Sequence, residues 1–271
     1  MEVGLKKFEE TEIFDFGRPI YNALKSTLQH PAEPKVIGAK LAKDITSICE
    51  AGIENVADVI PYVWTVIIQM SRHVSPDHPW QDCLVQAVDN LRQQEGAVPG
   101  MKGGLWKDLP YLSLRMRELW NDPTEINDEE FSEELIDDFV QWKNQNSFAA
   151  RLTGPSFAPW MTFPIWQLRD ALEQQPAKGP LQECRVWVAC EWILRRAELI
   201  FEVMTSGDGP DDALKTGPLC GEGIPQLSIE RWDFWKKRLG EIAADAENLK
   251  LERPILGRIS DTIERMEAVQ K

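Results

Sequence analysis

The sequence predicts an all-α fold: a single compact multi-helix domain of about ten helices, with a long Gly/Pro-rich loop before the last helices. Three observations lead there. Apolar residues recur at helical spacing over most of the chain, alternating β-branched runs are few, and no Asn-Gly dipeptide marks a hairpin turn.

The helices are read in order. "NVADVIPYVWTVIIQMSRHV" is apolar on most of its circumference, which predicts a buried helix with Pro61 in its first turns. "PWQDCLVQAVDNLRQQEG" starts with Pro, ends at Gly96, and places Cys83, Leu84, Val88 and Leu91 on one stripe. "NDEEFSEELIDDFVQWKNQNSFAARL" opens on Asn and Asp, carries acids in its first turns, and repeats Phe131, Leu135, Phe139 and Trp142 at helical spacing. "LQECRVWVACEWILRRAELIFEVM" is the most apolar helix and is expected at the centre. In "SIERWDFWKKRLGEIAADAENL", Ser228 is the expected N-cap, with Trp232, Trp235 and Leu239 on one face.

Gly/Pro breaks interrupt the pattern at "QHPAEPK", "GAVPGMKGG", "TGPSFAP", "QQPAKGP" and "SGDGPDDALKTGPLCGEGIPQ". None has the length or low complexity of an interdomain linker, so residues 1–271 are expected to form one domain, with Asp208–Gln226 its largest irregular excursion. No internal repeat is visible.

Charge and composition narrow the function classes. The net charge of −14 argues against nucleic acid and against anionic membrane surfaces, both of which are bound by clustered Lys and Arg. The five cysteines Cys49, Cys83, Cys184, Cys190 and Cys220 form no CxxC pair, which fits a reducing compartment. Neither a signal core nor a lipidation box is read in the terminal segments, and a cytoplasmic location with no membrane partner is expected. Eleven Trp against three Tyr is unusual; an indole offers a large apolar face and one donor, suited to cores and to pockets for flat ligands.

Several chemical signatures are approached and missed. Asp137 and Asp138 in "LIDDFVQ" lack the third acid of a terpene-cyclase magnesium motif. In "NDEEFSEE", Ser132 is one place out of register for the second such motif. Acids at a solvated helix start are the simpler reading. His73, Asp77, His78 and Cys83 have metal-ligand chemistry, but His73 and His78 straddle a Pro-containing turn, so a capped helix junction is expected instead of a metal site. Gly207 and Gly209, and Gly217, Gly221 and Gly223, lack the strand and the Gly-Lys-Ser/Thr ending of a phosphate loop. With three His in the chain, no Ser/His/Asp or Cys/His arrangement has local support. Glu191, inside "RVWVACEWILRRAEL", is either a proton donor with a raised pKa or the partner of Arg195 four residues on; the pairing is the favoured reading. No cofactor and no metal is expected.

Five segments resemble, in chain order, those of a large fungal family catalogued only as a domain of unknown function. They are "LWKDLPYLSLRMRELWN", "WKNQNSFAARLT", "FPIWQLRDALE", "WVACEWILRRAELIFE" and "GPLCGEGIPQLSIERWDFWKKRL". The resemblance runs from about Leu41 to Leu239 and implies a helical, intracellular protein of filamentous fungi. Within that family the chain is similar in general character to the hetero-Diels–Alderases of tropolonic sesquiterpenoid pathways. These join a tropolone-derived ortho-quinone methide to a humulene-type polyene. No catalytic motif is carried over residue by residue.

Such a cycloaddition requires an apolar cavity that aligns two substrates and a donor to the carbonyl oxygen that gains negative charge. On physical grounds Arg151 or Asn146 is the expected catalytic donor. Asn144, Phe148 and Arg151 share one helical face, and Asn146 lies beside Trp142. Trp106, Tyr111, Trp142, Phe148, Trp160, Trp166, Trp187 and Trp192 are the expected substrate-binding residues, against the alternative that aromatic residues at this spacing are core and that Arg151 closes a helix end. The expected partners are small apolar and quinone-methide-type molecules, with the oligomeric state open and a homodimer one option. The alternative is a non-catalytic fungal small-molecule-binding or interaction protein.

Overall fold

The structure, a computed structural model, describes residues 4–11, 13, 17–51, 56–99, 101–125, 131–154, 160–206, 211–221 and 223–271. Among them there are eleven α-helices and no strand; one isolated bridge joins Ala97 to Leu105. The chain is all-α, as its periodicity predicts. It divides into two compact units, Met1–Asp122 and Pro123–Lys271.

The first unit holds α1 (Leu5–Thr11), α2 (Gly17–Leu28), α3 (Pro34–Ala51), α4 (Val56–Arg72), α5 (Pro79–Arg92) and α6 (Leu112–Glu118). Helix α4 buries Ile60, Val63, Trp64, Ile67, Ile68 and Met70, and Pro61 sits inside it near its start. Helices α3 and α5 approach backbone to backbone at Gly38, where a Cβ would lie 2.4 Å from the Gln86 Cβ and 3.0 Å from the Ala87 nitrogen. Only glycine leaves that crossing open. The His73–Cys83 segment is a capped junction: His78 Nδ1 accepts the Trp80 N–H at 3.2 Å, His73 stacks on Phe8, and Cys83 is buried on the stripe of α5.

Ahead of α6, "KDLPY" forms a tight turn with two non-glycine residues in the left-handed region, Leu109 (φ 42°) and Tyr111 (φ 67°). Each costs about 1–2 kcal/mol in the free chain. Burial of Trp106 and Leu109, and the Trp64 indole donating to the Pro110 carbonyl at 2.7 Å, hold the turn in place.

The second unit holds α7 (Glu133–Leu152), α8 (Thr162–Leu172), α9 (Pro180–Met204), α10 (Ile229–Ala244) and α11 (Arg253–Val269). Helix α7 begins later than its acidic lead-in predicts, because the Ser132 hydroxyl accepts the Leu135 N–H and starts the helix there. Ser228 caps α10 through the Arg231 N–H, as its position predicts. Helix α9 is the centre of this unit and packs on α7, α8, α10 and α11. Partners on α7 and α9 keep an offset of 44 to 46 residues along their length, so the two helices run parallel. Those on α9 and α11 keep an offset of 67, which makes α11 parallel to α9 as well.

A buried ion pair organises the loop between α9 and α10. Glu173 and Arg231 are both 0% exposed, and Arg231 Nε donates to Glu173 Oε1 at 2.7 Å. The other guanidinium N–H groups reach Glu173 Oε2 and the carbonyls of Leu214, Lys215 and Gln226. All five donors are therefore satisfied. The Trp235 indole adds a bond to Glu173 Oε1 at 2.6 Å, and the Gly217 N–H donates to Oε2. No helix of the described residues is long and apolar enough to cross a membrane.

Candidate functional site: a charged row on α7, α9 and α11

Residues spaced four apart line one face of a helix, so Lys143, Ser147 and Arg151 form a row on α7, and Trp187, Glu191 and Arg195 form another on α9. Because the helices run parallel, the rows meet rung by rung. The Lys143 ammonium lies 6.0 Å from the Trp187 ring centre, and the Ser147 hydroxyl donates to Glu191 Oε1 at 2.6 Å. The Arg151 Nε lies 3.4 Å from the Ser147 oxygen, a long contact.

Glu191 is 3% exposed and is held from both sides. Arg195 Nε donates to Oε1 at 2.8 Å, and Arg258 of α11 donates to Oε2. Burial alone would raise this carboxyl; the Ser147 hydroxyl and the Arg195 and Arg258 guanidiniums outweigh it and hold it below the ordinary carboxylate range. The pairing with Arg195 is the one the helical spacing predicts. The Arg258 guanidinium also stacks over Trp187, 4.1 Å from the ring centre. Beneath the row, the Cys190 thiol is pushed up to about 11, chiefly by burial.

Arg196, next along α9, has non-helical backbone angles (φ −139°, ψ 28°) that kink the helix. The kink turns its side chain onto the end of α7, where Nε donates to the Ala150 carbonyl at 2.6 Å and Nη2 to that of Arg151. Arg196 closes the α7 carbonyls of Ala150 and Arg151. Burial lowers its pKa from the ordinary arginine value, and repulsion from Arg195 and Arg151 lowers it further. Two guanidiniums thus hold one buried carboxylate, with Arg151 and Arg196 on the neighbouring groups, in a chain of net charge −14.

The sequence-predicted residues separate into groups. Asn146 is fully buried; its amide donates to the Trp142 carbonyl at 3.0 Å and accepts the Trp192 indole at 2.8 Å. This joins Asn146, Trp142 and Trp192 in one interior network. Phe148 is also core. Trp160 is buried beside Phe163, and Phe163 packs on Trp166, whose indole donates to the Ala213 carbonyl at 2.7 Å. Trp187, half-buried, is the aromatic member of the charged row. Trp106 and Tyr111 belong to the first unit, Trp106 buried and Tyr111 39% exposed.

Sequence reasoning did not single out Arg195, Arg196 and Arg258 as site residues. The "RR" doublet after Glu191 was the available signal for the first two; Arg258 had none, because only the packing of α11 brings it to Glu191. Among the described residues no group of His, Cys, Asp and Glu is arranged to hold a metal. Gly207 and Gly209 lie outside the described residues. Two open pockets lie elsewhere in the second unit, and none of the predicted residues lines either. One of about 280 Å³ is bounded by Glu198, Phe201, Glu202 and Arg265, and one of about 330 Å³ by Thr124, Asp170, Gln174 and Arg185.

No curated protein and no solved structure matches the chain. Residues 64–239 match the family described as "Protein of unknown function (DUF3632)", a stretch that begins with Trp64 above the "KDLPY" turn and ends with Leu239. It takes in all of α7, α8, α9 and the Glu173–Arg231 pair. More than half of the chain is covered, and the protein belongs to this family of unknown function.

Proposed function

We propose that this protein is a cofactor-independent pericyclase of fungal natural-product biosynthesis. Its reaction would be a hetero-Diels–Alder cycloaddition between a tropolone-derived ortho-quinone methide and a humulene-type polyene. The reading starts from the sequence resemblance, and one structural observation supports it above others. Arg195 and Arg258 each give one N–H to Glu191 and keep further donors, those of Arg258 over the Trp187 ring.

In the cycloaddition, the oxygen and the terminal carbon of the oxadiene bond to the two alkene carbons, and nothing is lost. Negative charge builds on the oxygen as the alkene attacks, and fixed guanidinium donors stabilise it without reorganisation. Arg151, on the adjoining row, is a third donor candidate. Asn146 acts here as a positioning residue, because its amide holds Trp142 and Trp192. If the protein also forms the quinone methide, a protonated group must deliver a proton to the departing hydroxyl, which leaves as water.

Purified protein incubated with a quinone-methide precursor and humulene tests the reading. Enhanced yield with one stereochemical outcome is expected; equal yield and stereochemistry with and without protein sinks it. A second reading, a non-catalytic small-molecule-binding or interaction protein, is favoured by the way motif residues such as Arg231 and Leu109 serve the fold. It predicts ligand binding with no turnover.

A further inference from the structure

We infer that the α7/α9/α11 row is a binding site for a flat, singly charged oxyanion, a carboxylate or an enolate on a conjugated ring, held by Arg195 and Arg258 and stacked against the Arg258–Trp187 pair. As a stand-in for the oxygen charge that builds in the proposed cycloaddition, this rests on the proposed function; as a binding site it stands on geometry alone.

Three observations carry it. First, Arg195 and Arg258 each bond a different oxygen of one buried carboxylate, which fixes both guanidiniums around it. Two cations on one anion leave a formal charge of +1, and Arg196 adds another that no carboxylate bonds. Second, donors remain. Among the described residues the Arg195 Nη atoms bond no protein group, and Arg258 Nε is buried without a partner. A buried N–H of this kind is costly unless something accepts it. Third, the Arg258 guanidinium, its side chain 22% exposed, lies over the partly exposed Trp187 indole, with Lys143 at the ring as a further cation. A planar anion continues that stack and brings two oxygens to the donors, the geometry in which Arg recognises carboxylates. A tetrahedral anion gains the charge but not the stacking.

The test is calorimetric titration of the purified full chain with 2-naphthoate, its neutral isostere 2-naphthamide, and inorganic phosphate. Saturable binding of naphthoate is expected, with naphthamide and phosphate each at least about tenfold weaker, the size of one lost charge-assisted hydrogen bond. Arg195→Gln and Arg258→Gln should each weaken naphthoate by about tenfold or more, while Lys237→Gln, an exposed charge elsewhere on α10, leaves it unchanged. Glu191→Gln supplies the discriminating readout. It removes the internal competitor for both guanidiniums, so naphthoate should bind more tightly, whereas a purely structural role for Glu191 predicts weaker binding. Circular dichroism confirms that each variant is folded.

Equal binding of acid and amide overturns the proposal, as do tighter binding of phosphate and indifference to both arginine variants. Because no turnover is measured, the two readings fail separately. Naphthoate binding without cycloaddition rejects the reaction alone, and cycloaddition without naphthoate binding rejects the oxyanion site alone.

Discussion

Glu173 at the end of α8 and Arg231 in the first turn of α10 form an ion pair from which water is fully excluded, and each is bonded to further groups on every side. Removing one partner strands a buried charge, which costs about 3–5 kcal/mol. Arg231→Met is therefore expected to lower unfolding free energy by that amount in urea titrations. A change below about 1 kcal/mol would show that the pair does not hold the loop.

Gly217 lies against the same carboxylate-bearing residue. A Cβ there would sit 2.7 Å from the Glu173 Cβ and 2.8 Å from its carbonyl oxygen. Since backbone cannot swing aside as a flexible side chain does, Gly217→Ala should cost about 1–3 kcal/mol of stability. Thermal melts comparing it with Gly240→Ala, where a Cβ meets nothing, check this directly.

The Asn146–Trp192 bond makes a prediction about coupling. Trp192→Phe leaves the Asn146 oxygen short of a buried donor and should destabilise by about 1–3 kcal/mol. In a double-mutant cycle with Asn146→Ala, the two changes should couple by about 0.5 kcal/mol or more. Strict additivity would mean that the bond contributes nothing to folding.

Glu191 links stability to pH. Its carboxyl is held below the ordinary glutamate value of 4.5 in the folded protein, so the unfolded chain binds a proton first as pH falls. The stabilisation is complete above the unfolded value and is lost as pH drops through the lower, folded one. The stability difference between wild type and Glu191→Gln should stay level from neutral pH down to about 5 and change only below 4.5. Urea midpoints at a series of pH values measure it; a change centred above pH 5 contradicts the assignment.

All five cysteines are buried and outside any disulfide, and burial pushes Cys49, Cys83, Cys190 and Cys220 up to about 11. The thiolate is the reactive species, so native protein should resist iodoacetamide at neutral pH and take up five equivalents in denaturant. Fast labelling of any one thiol without unfolding would show that its helix opens.

The local order of this molecule was legible in the sequence. The apolar circumference of α4, the Pro start and buried stripe of α5, the Ser228 cap and the Glu191–Arg195 pair all depend on residues within one or two turns of each other, where 3.6-residue periodicity and capping chemistry decide the outcome. The family was legible too, through strings such as "NSFAARL" and "ERWDFWKKRL". What those strings do was not. Only the tertiary structure places Arg231 on Glu173, 58 residues away, and Arg258 on Glu191, 67 away. It alone kinks α9 at Arg196 to close α7, and turns Asn146 inward to Trp192. The last three follow from the parallel register of α7, α9 and α11 and the first from the packing of α10 against the end of α8, both set by how whole helix faces pack. A single side chain's spacing carries no record of it.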